Sequence, residues 1–398
     1  METTPATSSG IHSSTAGSSS IAEIAATIAT SVSALHADNV DQQARFPSES
    51  VEALRDSGLL GALVPIKLGG MGASVSEVTA ACTELAQHCA STAMIFAMHH
   101  IQVACLVRHS NNNEYFNQLL SRIAQEGRLV ASATSEAGTG GDIGQSICAV
   151  HRDGQRFTLS KEASVISYGS ESDDILLTAR RHPDSPPTDQ VLVHVPTDSA
   201  NLVETGQWDT LGMRGTRSLG FLLDTEGDVS QIMEATGSEV LAHTMVPVTH
   251  LTWAGVWLGI AENATTKARS YVRAQARKDP EVTPPSATEL AQLYMQLETC
   301  RAAVDSASER FGQHEADGAG ATDALQTVQM NNLKLMLSTH VVSIVQSALA
   351  VCGISGYRND SPYSLGRQIR DSLSAPIMIH NDRIVAHNAS LLSLLKGK

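Results

Sequence analysis

Ser135-Glu136-Ala137-Gly138-Thr139-Gly140-Gly141-Asp142 follows the strand-like run Leu129-Val130-Ala131-Ser132 and puts three glycines and two carboxylates in one short loop. Glycine lets a backbone come close to a flat ring or a pyrophosphate, and free N–H groups in such a loop can bond a polar edge. Taken alone, the same pattern also describes a Gly-rich β-turn without a ligand. The flanking sequence decides between the two.

Upstream, from about residue 21 to 126, apolar residues recur at three and four, as in Ile21, Ile24, Ile28 and Val32, which predicts α-helix. Between about Arg128 and Val246 the texture changes to short alternating runs such as Gln190-Val191-Leu192-Val193-His194-Val195, which predict a β-rich middle. Helix-length patterns return over residues 251–274, 288–311 and 325–351, broken at Pro284-Pro285 and near Gly318 to Gly320. The chain therefore divides into a tail (1–20), a helical domain (21–128), a β domain (129–246) and a second helical domain (247–398).

At 398 residues the chain exceeds what one core serves well, and a 42% hydrophobic content supports two or three packed subdomains. A formal charge of −14 argues against nucleic acid or an anionic membrane as a main partner, leaving a small-molecule substrate. The six cysteines include no C-x-x-C pair, which suggests a reduced, cytoplasmic protein without a cysteine metal site, and no metal is assigned. The first twenty residues are Ser/Thr-rich, lack an apolar core and read as an unstructured tail. No run reaches eighteen uninterrupted apolar residues, so no membrane span is expected.

Three further blocks join the glycine loop in order. They are Val165-Ile166-Ser167, then Leu211-Gly212-Met213-Arg214-Gly215-Thr216, then Cys352-Gly353-Ile354-Ser355-Gly356-Tyr357 followed by Arg370-Asp371. Together the four resemble the T-E-P-x-x-G-S-D, W-I-T, G-x-R-x-S and F-G-G-x-G-[FY]…R-D blocks of the acyl-CoA dehydrogenase superfamily. That resemblance implies an α+β fold: an N-terminal all-α domain, a middle β-barrel-like domain and a C-terminal four-helix bundle. It also implies an FAD site, with Ser132, Thr134, Ser135, Gly140, Gly141, Val165, Ser167 and Asn381 around the flavin and a homotetramer or homodimer as the working unit. Val165 stands where the family keeps the tryptophan that covers the ring.

The family's catalytic glutamate is missing. Counted from Arg370-Asp371 its position is Ile379, and at the family's second location the chain has Thr249, followed by His250. Neither side chain can take a proton from carbon as a carboxylate does. The resemblance is therefore nearest to the flavin-dependent monooxygenase (hydroxylase) branch, which implies reduced FAD, O2, a C4a-(hydro)peroxyflavin and a separate flavin reductase. Where the family carries R-x-x-F-G, the chain reads Gln275-Ala276-Arg277-Lys278, with Arg277 as a substitute phosphate partner and flavin contact weakened.

By the same resemblance His99 and His380, with His100 as the alternative to His99, face the flavin beside Ser167, since imidazole can donate to a peroxide oxygen and accept a proton near neutral pH. Any one of the fifteen histidines can equally be a structural group. Met98, Trp253, Met378 and Ile379 are the candidate substrate contacts, although such residues more often pack cores. Two alternatives stay open: an acyl-CoA or acyl-carrier-protein dehydrogenase with an unusual base, and an inactive flavin-binding relative.

Overall fold

The computed structural model describes residues 19–111, 113–316 and 324–394. Most of the predicted tail and the Gly318 to Gly320 break lie outside them.

The N-terminal domain is helical throughout. Ser20 and Glu23 form a reciprocal capping box that starts α1 (Ile21–Ile28), which runs through a π-helical turn into α2 (Ala34–Gln43). After α3 (Ser48–Asp56), a second box from Ser74 and Glu77 starts α4 (Val75–Ala86). Next come α5 (Ala90–His109) and α6 (Glu114–Glu126). Most of α5 is buried on every side, as its near-continuous apolar sequence requires. It is the core pillar between the three domains.

The middle region contains β1 (Val130–Ala133), β2 (His151–Asp153), β3 (Arg156–Ile166), β4 (Asp174–Arg180), β5 (Gln190–Pro196), β6 (Asn201–Thr205) and β7 (Leu219–Asp228). These strands make two sheets, β1-β4-β5 and β2-β3-β7-β6. The barrel-like expectation is corrected here: among the described residues the sheets are open and no barrel closes. Along β3 buried and exposed residues alternate, with Phe157, Leu159, Lys161 and Ala163 facing in. The β3–β7 register slips between Ala163 and Ile166, and this bulge re-aims Val165.

The short α7 (Gly237–Val240) leads through a π-helical turn into α8 (Val246–Ala276), which packs with α9 (Ala287–Ala316) and α10 (Ala324–Cys352). The helices α11 (Ile354–Tyr357), α12 (Gly366–Ser372) and α13 (Asn381–Leu394) complete the chain, and α13 lies against α10. α4 docks on α8 through Gly255 and Gly259, where a Cβ would stand 2.6 Å from the Thr79 carbonyl oxygen and 2.2 Å from that of Thr83. Trp257, Ile260 and Val256 of α8 are fully buried nearby, each worth about 1.5–3 kcal/mol of burial.

Candidate active site

A cavity of about 640 Å³ opens where α5, the start of α8, the ends of β1 and β3, and the turn after α12 converge. Of the predicted flavin contacts, Ser132, Thr134, Ser135, Val165 and Ser167 line it. So do all four predicted substrate contacts, Met98, Trp253, Met378 and Ile379.

On the β side, Ser135 clips the glycine loop to the bulge: its hydroxyl donates to the Val165 carbonyl (3.0 Å) and accepts from the Val165 N–H (3.2 Å). Ser167 Oγ lies 2.8 Å from Ser218 Oγ, which lies 2.9 Å from Thr216 Oγ1, and Thr216 donates to the Met213 carbonyl. All three hydroxyls belong to lining residues, so the wall carries a chain of groups that can each give and take a proton. Thr216 closes the Leu211 to Thr216 block; Ser218 carried no signal in the sequence.

Glu136 anchors the loop from below. Its carboxylate accepts from Ser146 Oγ (2.7 Å), the Ile147 N–H (3.0 Å) and the Cys148 N–H (2.6 Å), and stands 3.2 Å from Lys161 Nζ. Burial by itself would raise the Glu136 pKa, but the Lys161 ammonium and these donors outweigh it and hold the group below its ordinary value. Lys161 is wholly buried and also donates to the Thr178 carbonyl at 2.8 Å.

The C-terminal wall is strained and braced. Ile379 has φ +47°, a left-handed conformation that a β-branched residue seldom adopts. Tyr168 and Met213, also cavity-lining, have φ +45° and +52°. Such conformations persist only where the surroundings over-determine them. For Ile379 the brace is Lys334 of α10, fully buried, whose Nζ donates to the Ile379 carbonyl (2.8 Å) and to Asn381 Oδ1 (2.6 Å). Burial lowers the Lys334 pKa to about 8. Asn381 is thus spent on Lys334 and Ser338 and does not line the cavity.

The two arginine blocks meet at Asp41 of α2. Arg370 Nη1 reaches Asp41 Oδ1 at 2.8 Å, and Arg214 Nε donates to the Asp41 carbonyl at 2.8 Å. Asp371 accepts from the Met213 N–H at 2.7 Å, and burial pushes its pKa up to about 6. Gly212 packs against this junction, where a Cβ would stand 2.2 Å from the Arg370 carbonyl oxygen. Arg370 with Asp371 therefore joins three domains, and is more than a contact within the bundle.

The histidine expectations are corrected. His99 is fully buried, donates from Nε2 to the Leu60 carbonyl (2.7 Å) and accepts the Val130 N–H at Nδ1 (3.0 Å). Burial lowers its pKa to about 4, so it is a neutral bracket between domains. His100 bonds the Leu59 carbonyl (3.0 Å), and burial, with His99 beside it, holds it well below its usual pKa. His380 is exposed and outside the lining, while its neighbour Ile379 faces in. Burial, and then the nearby Lys334, drop the buried His250 to about 3. Among the described residues no imidazole and no carboxylate lines the cavity. Arg277 is also displaced: it is exposed at the end of α8, outside the cavity lining.

The residues fit a flavin. Gly138, Gly140 and Gly141 have φ of +91°, +62° and +79°, and the space where a Gly140 Cβ would project is free of other atoms within 4 Å. Gly140 and Gly141 sit outside the cavity lining, on the exposed outer part of the loop, where Arg383 of α13 bonds the Gly140 carbonyl. A loop open to close approach beside a hydroxyl-bearing cavity suits a flat ring with a phosphorylated tail.

An α–β–α frame with a glycine loop at a cavity between domains defines a flavin-type oxidoreductase fold. Residues 15–141 match the model of the acyl-CoA dehydrogenase N-terminal domain and residues 236–379 that of the C-terminal domain, and the chain belongs to the acyl-CoA dehydrogenase family. It is 26% identical over 342 residues, 85% of each chain, to the probable acyl-CoA dehydrogenase FadE25 of Mycobacterium tuberculosis. It is 28% identical over 235 residues, 57% of this chain and 56% of the other, to a dibenzothiophene monooxygenase of Rhodococcus qingshengii. The FMN-bound TdsC of Paenibacillus sp. A11-2 superposes with a TM-score of 0.82 at 19% identity over 94% of this chain and 96% of that one, a likeness of fold.

Proposed function

We propose that this protein is a flavin-dependent monooxygenase that inserts one oxygen atom from O2 into an uncharged, largely apolar organic substrate. The observation that carries the reading is the wall at Ile379 and Thr249: where a dehydrogenase needs a carboxylate against the substrate carbon, the chain presents a hydrocarbon and a hydroxyl. When bound, reduced flavin supplies O2 activation and the transferred oxygen atom.

The chain's own residues bind, orient and move protons. The glycine loop and Ser135 hold the cofactor at the β wall, and the Ser167–Ser218–Thr216 hydroxyls carry a proton to or from the reacting edge. Met94, Met98, Trp208, Met245 and Trp253 exclude water. Among the described residues the cation in the lining is Arg370, which is committed to Asp41, and this supports a neutral substrate. FAD delivered in reduced form by a separate reductase fits the missing R-x-x-F-G block.

Purified protein mixed with chemically reduced FAD or FMN is expected to bind it and consume O2, and butyryl-CoA is expected to leave bound oxidised flavin unreduced without oxygen. Bleaching of the flavin by butyryl-CoA would overturn the monooxygenase reading in favour of dehydrogenation.

The reading extends to a homo-oligomer, in the first place a tetramer. In the most apolar stretch of α10 only 44% of the residues are buried within the protomer, and Leu325, Ile354 and Tyr357 stand exposed around it. Sedimentation should give a multiple of 42.1 kDa at micromolar concentration; a monomer there refutes the assembly.

A further inference from the structure

We infer that Gln102 is the specificity-determining polar contact of the cavity, and that it selects a flat, uncharged aromatic substrate carrying an amide-like N–H/C=O edge. The inference rests on the monooxygenase reading for what the molecule in the cavity is.

Gln102 lies on α5 one turn beyond Met98, is 2% exposed and lines the cavity. Its Oε1 is buried without a hydrogen-bond partner. Buried amides are almost always paired, because one left unpaired has given up its bonds to water for nothing. Its cavity-lining neighbours on α5, Met94, Met98 and Ile101, offer it no partner. Across the cavity on α8, Trp253 is 9% exposed and its Nε1 also lacks a partner.

Gln102 stands on the helical wall, whereas the flavin loop, Val165 and the hydroxyl chain form the β wall. The amide therefore meets what lies between the flavin and the helices. A carboxamide offers one donor and one acceptor side by side, and a lactam or similar edge answers both with two parallel bonds. A charged ligand is disfavoured, because among the described residues the charged group of the lining, Arg370, is already paired with Asp41. An aromatic ring suits the indoles of Trp208 and Trp253 and the thioethers of Met94, Met98 and Met245 that share the lining.

The test uses full-length protein loaded with oxidised flavin and equilibrium dialysis of two probes of equal ring size, 2-quinolinone and naphthalene. Wild type is expected to bind 2-quinolinone at least about 10-fold more tightly, since a site built to bond a polar group rejects the analogue lacking it. Gln102→Leu and Gln102→Met are expected to bring that ratio to about one by losing quinolinone affinity. Both should keep flavin affinity within about twofold, and should melt no lower than wild type, because an unpaired buried amide is removed. An unchanged ratio in both variants, no preference in wild type, or no binding of either probe would overturn the inference. So would a fall in flavin affinity, which would place Gln102 against the cofactor instead. If wild type binds no flavin the monooxygenase reading fails separately, and the ratio is read on the flavin-free protein.

Discussion

Lys161→Met is expected to lower the stability of the protein by about 3–5 kcal/mol and to loosen the glycine loop enough to weaken flavin affinity. The reason is the carboxylate left behind. Glu136 is half-held by backbone N–H groups and Ser146, and among the described residues the cation that balances its charge in the interior is Lys161, 3.2 Å away. Without that ammonium a buried anion must either remain uncompensated or take a proton, and the protonated acid accepts fewer of the bonds that fix residues 146–148. Lys161→Met with Glu136→Gln together should recover much of the loss, because an uncharged pair no longer needs compensation. Urea unfolding of the two single variants and the double variant measures the coupling. Additive losses in that cycle would mean that the pair does not hold the loop.

His99→Ala is expected to cost about 3–5 kcal/mol, and to do so without a specific effect on oxygen chemistry. The imidazole spans two segments, donating a hydrogen bond to the Leu60 carbonyl and accepting one from the Val130 N–H at the head of β1. Its removal leaves two buried backbone groups unpaired, each costing about 1–3 kcal/mol, and a void besides. The pH dependence follows from the lowered pKa. The folded chain keeps His99 neutral down to about pH 4, while an unfolded histidine protonates near 6.5. The stability tied to this group is therefore complete above about pH 6.5 and is lost as pH falls towards 4, by about 3 kcal/mol in all. The variant should show a correspondingly flatter stability profile over that window. If instead His99→Ala unfolds like wild type and only raises hydrogen peroxide release, the imidazole faces the reaction after all.

The contrast between the histidines and the glycine loop shows what the chain alone could reveal about its site. The loop was legible because its function is local: Gly138, Gly140 and Gly141 are needed for positive φ, and Ser135 reaches a residue of the next block. The same holds for Ser132, Thr134 and Ser167, which lie at strand ends whose direction the alternating pattern sets. His99 was not legible for a physical reason. α5 is buried nearly all round, so its apolar pattern has no polar face from which to phase the helix, and neighbouring positions cannot be sorted into those facing the cavity and those facing a domain contact. Met98 and Gln102 point one way and His99 the other. Gln102 is equally hidden in the sequence, since a lone glutamine in a helix carries no motif.

By itself the sequence determined the order of helical, β-rich and helical regions, the glycine loop, and the loss of the carboxylate at residue 379, all of which depend on residue type and short-range periodicity. The tertiary structure alone decided which groups face the cavity. Ile379 turns inward and His380 outward because Lys334, 45 positions earlier on another helix, takes the Ile379 carbonyl and holds a left-handed residue in place. The sheets stay open instead of closing, and Asp41 gathers Arg214 and Arg370 from two other domains. Each of these is a contact between residues far apart in the chain, where the free energy of burying and pairing polar groups outweighs local preference and leaves no trace in local spacing.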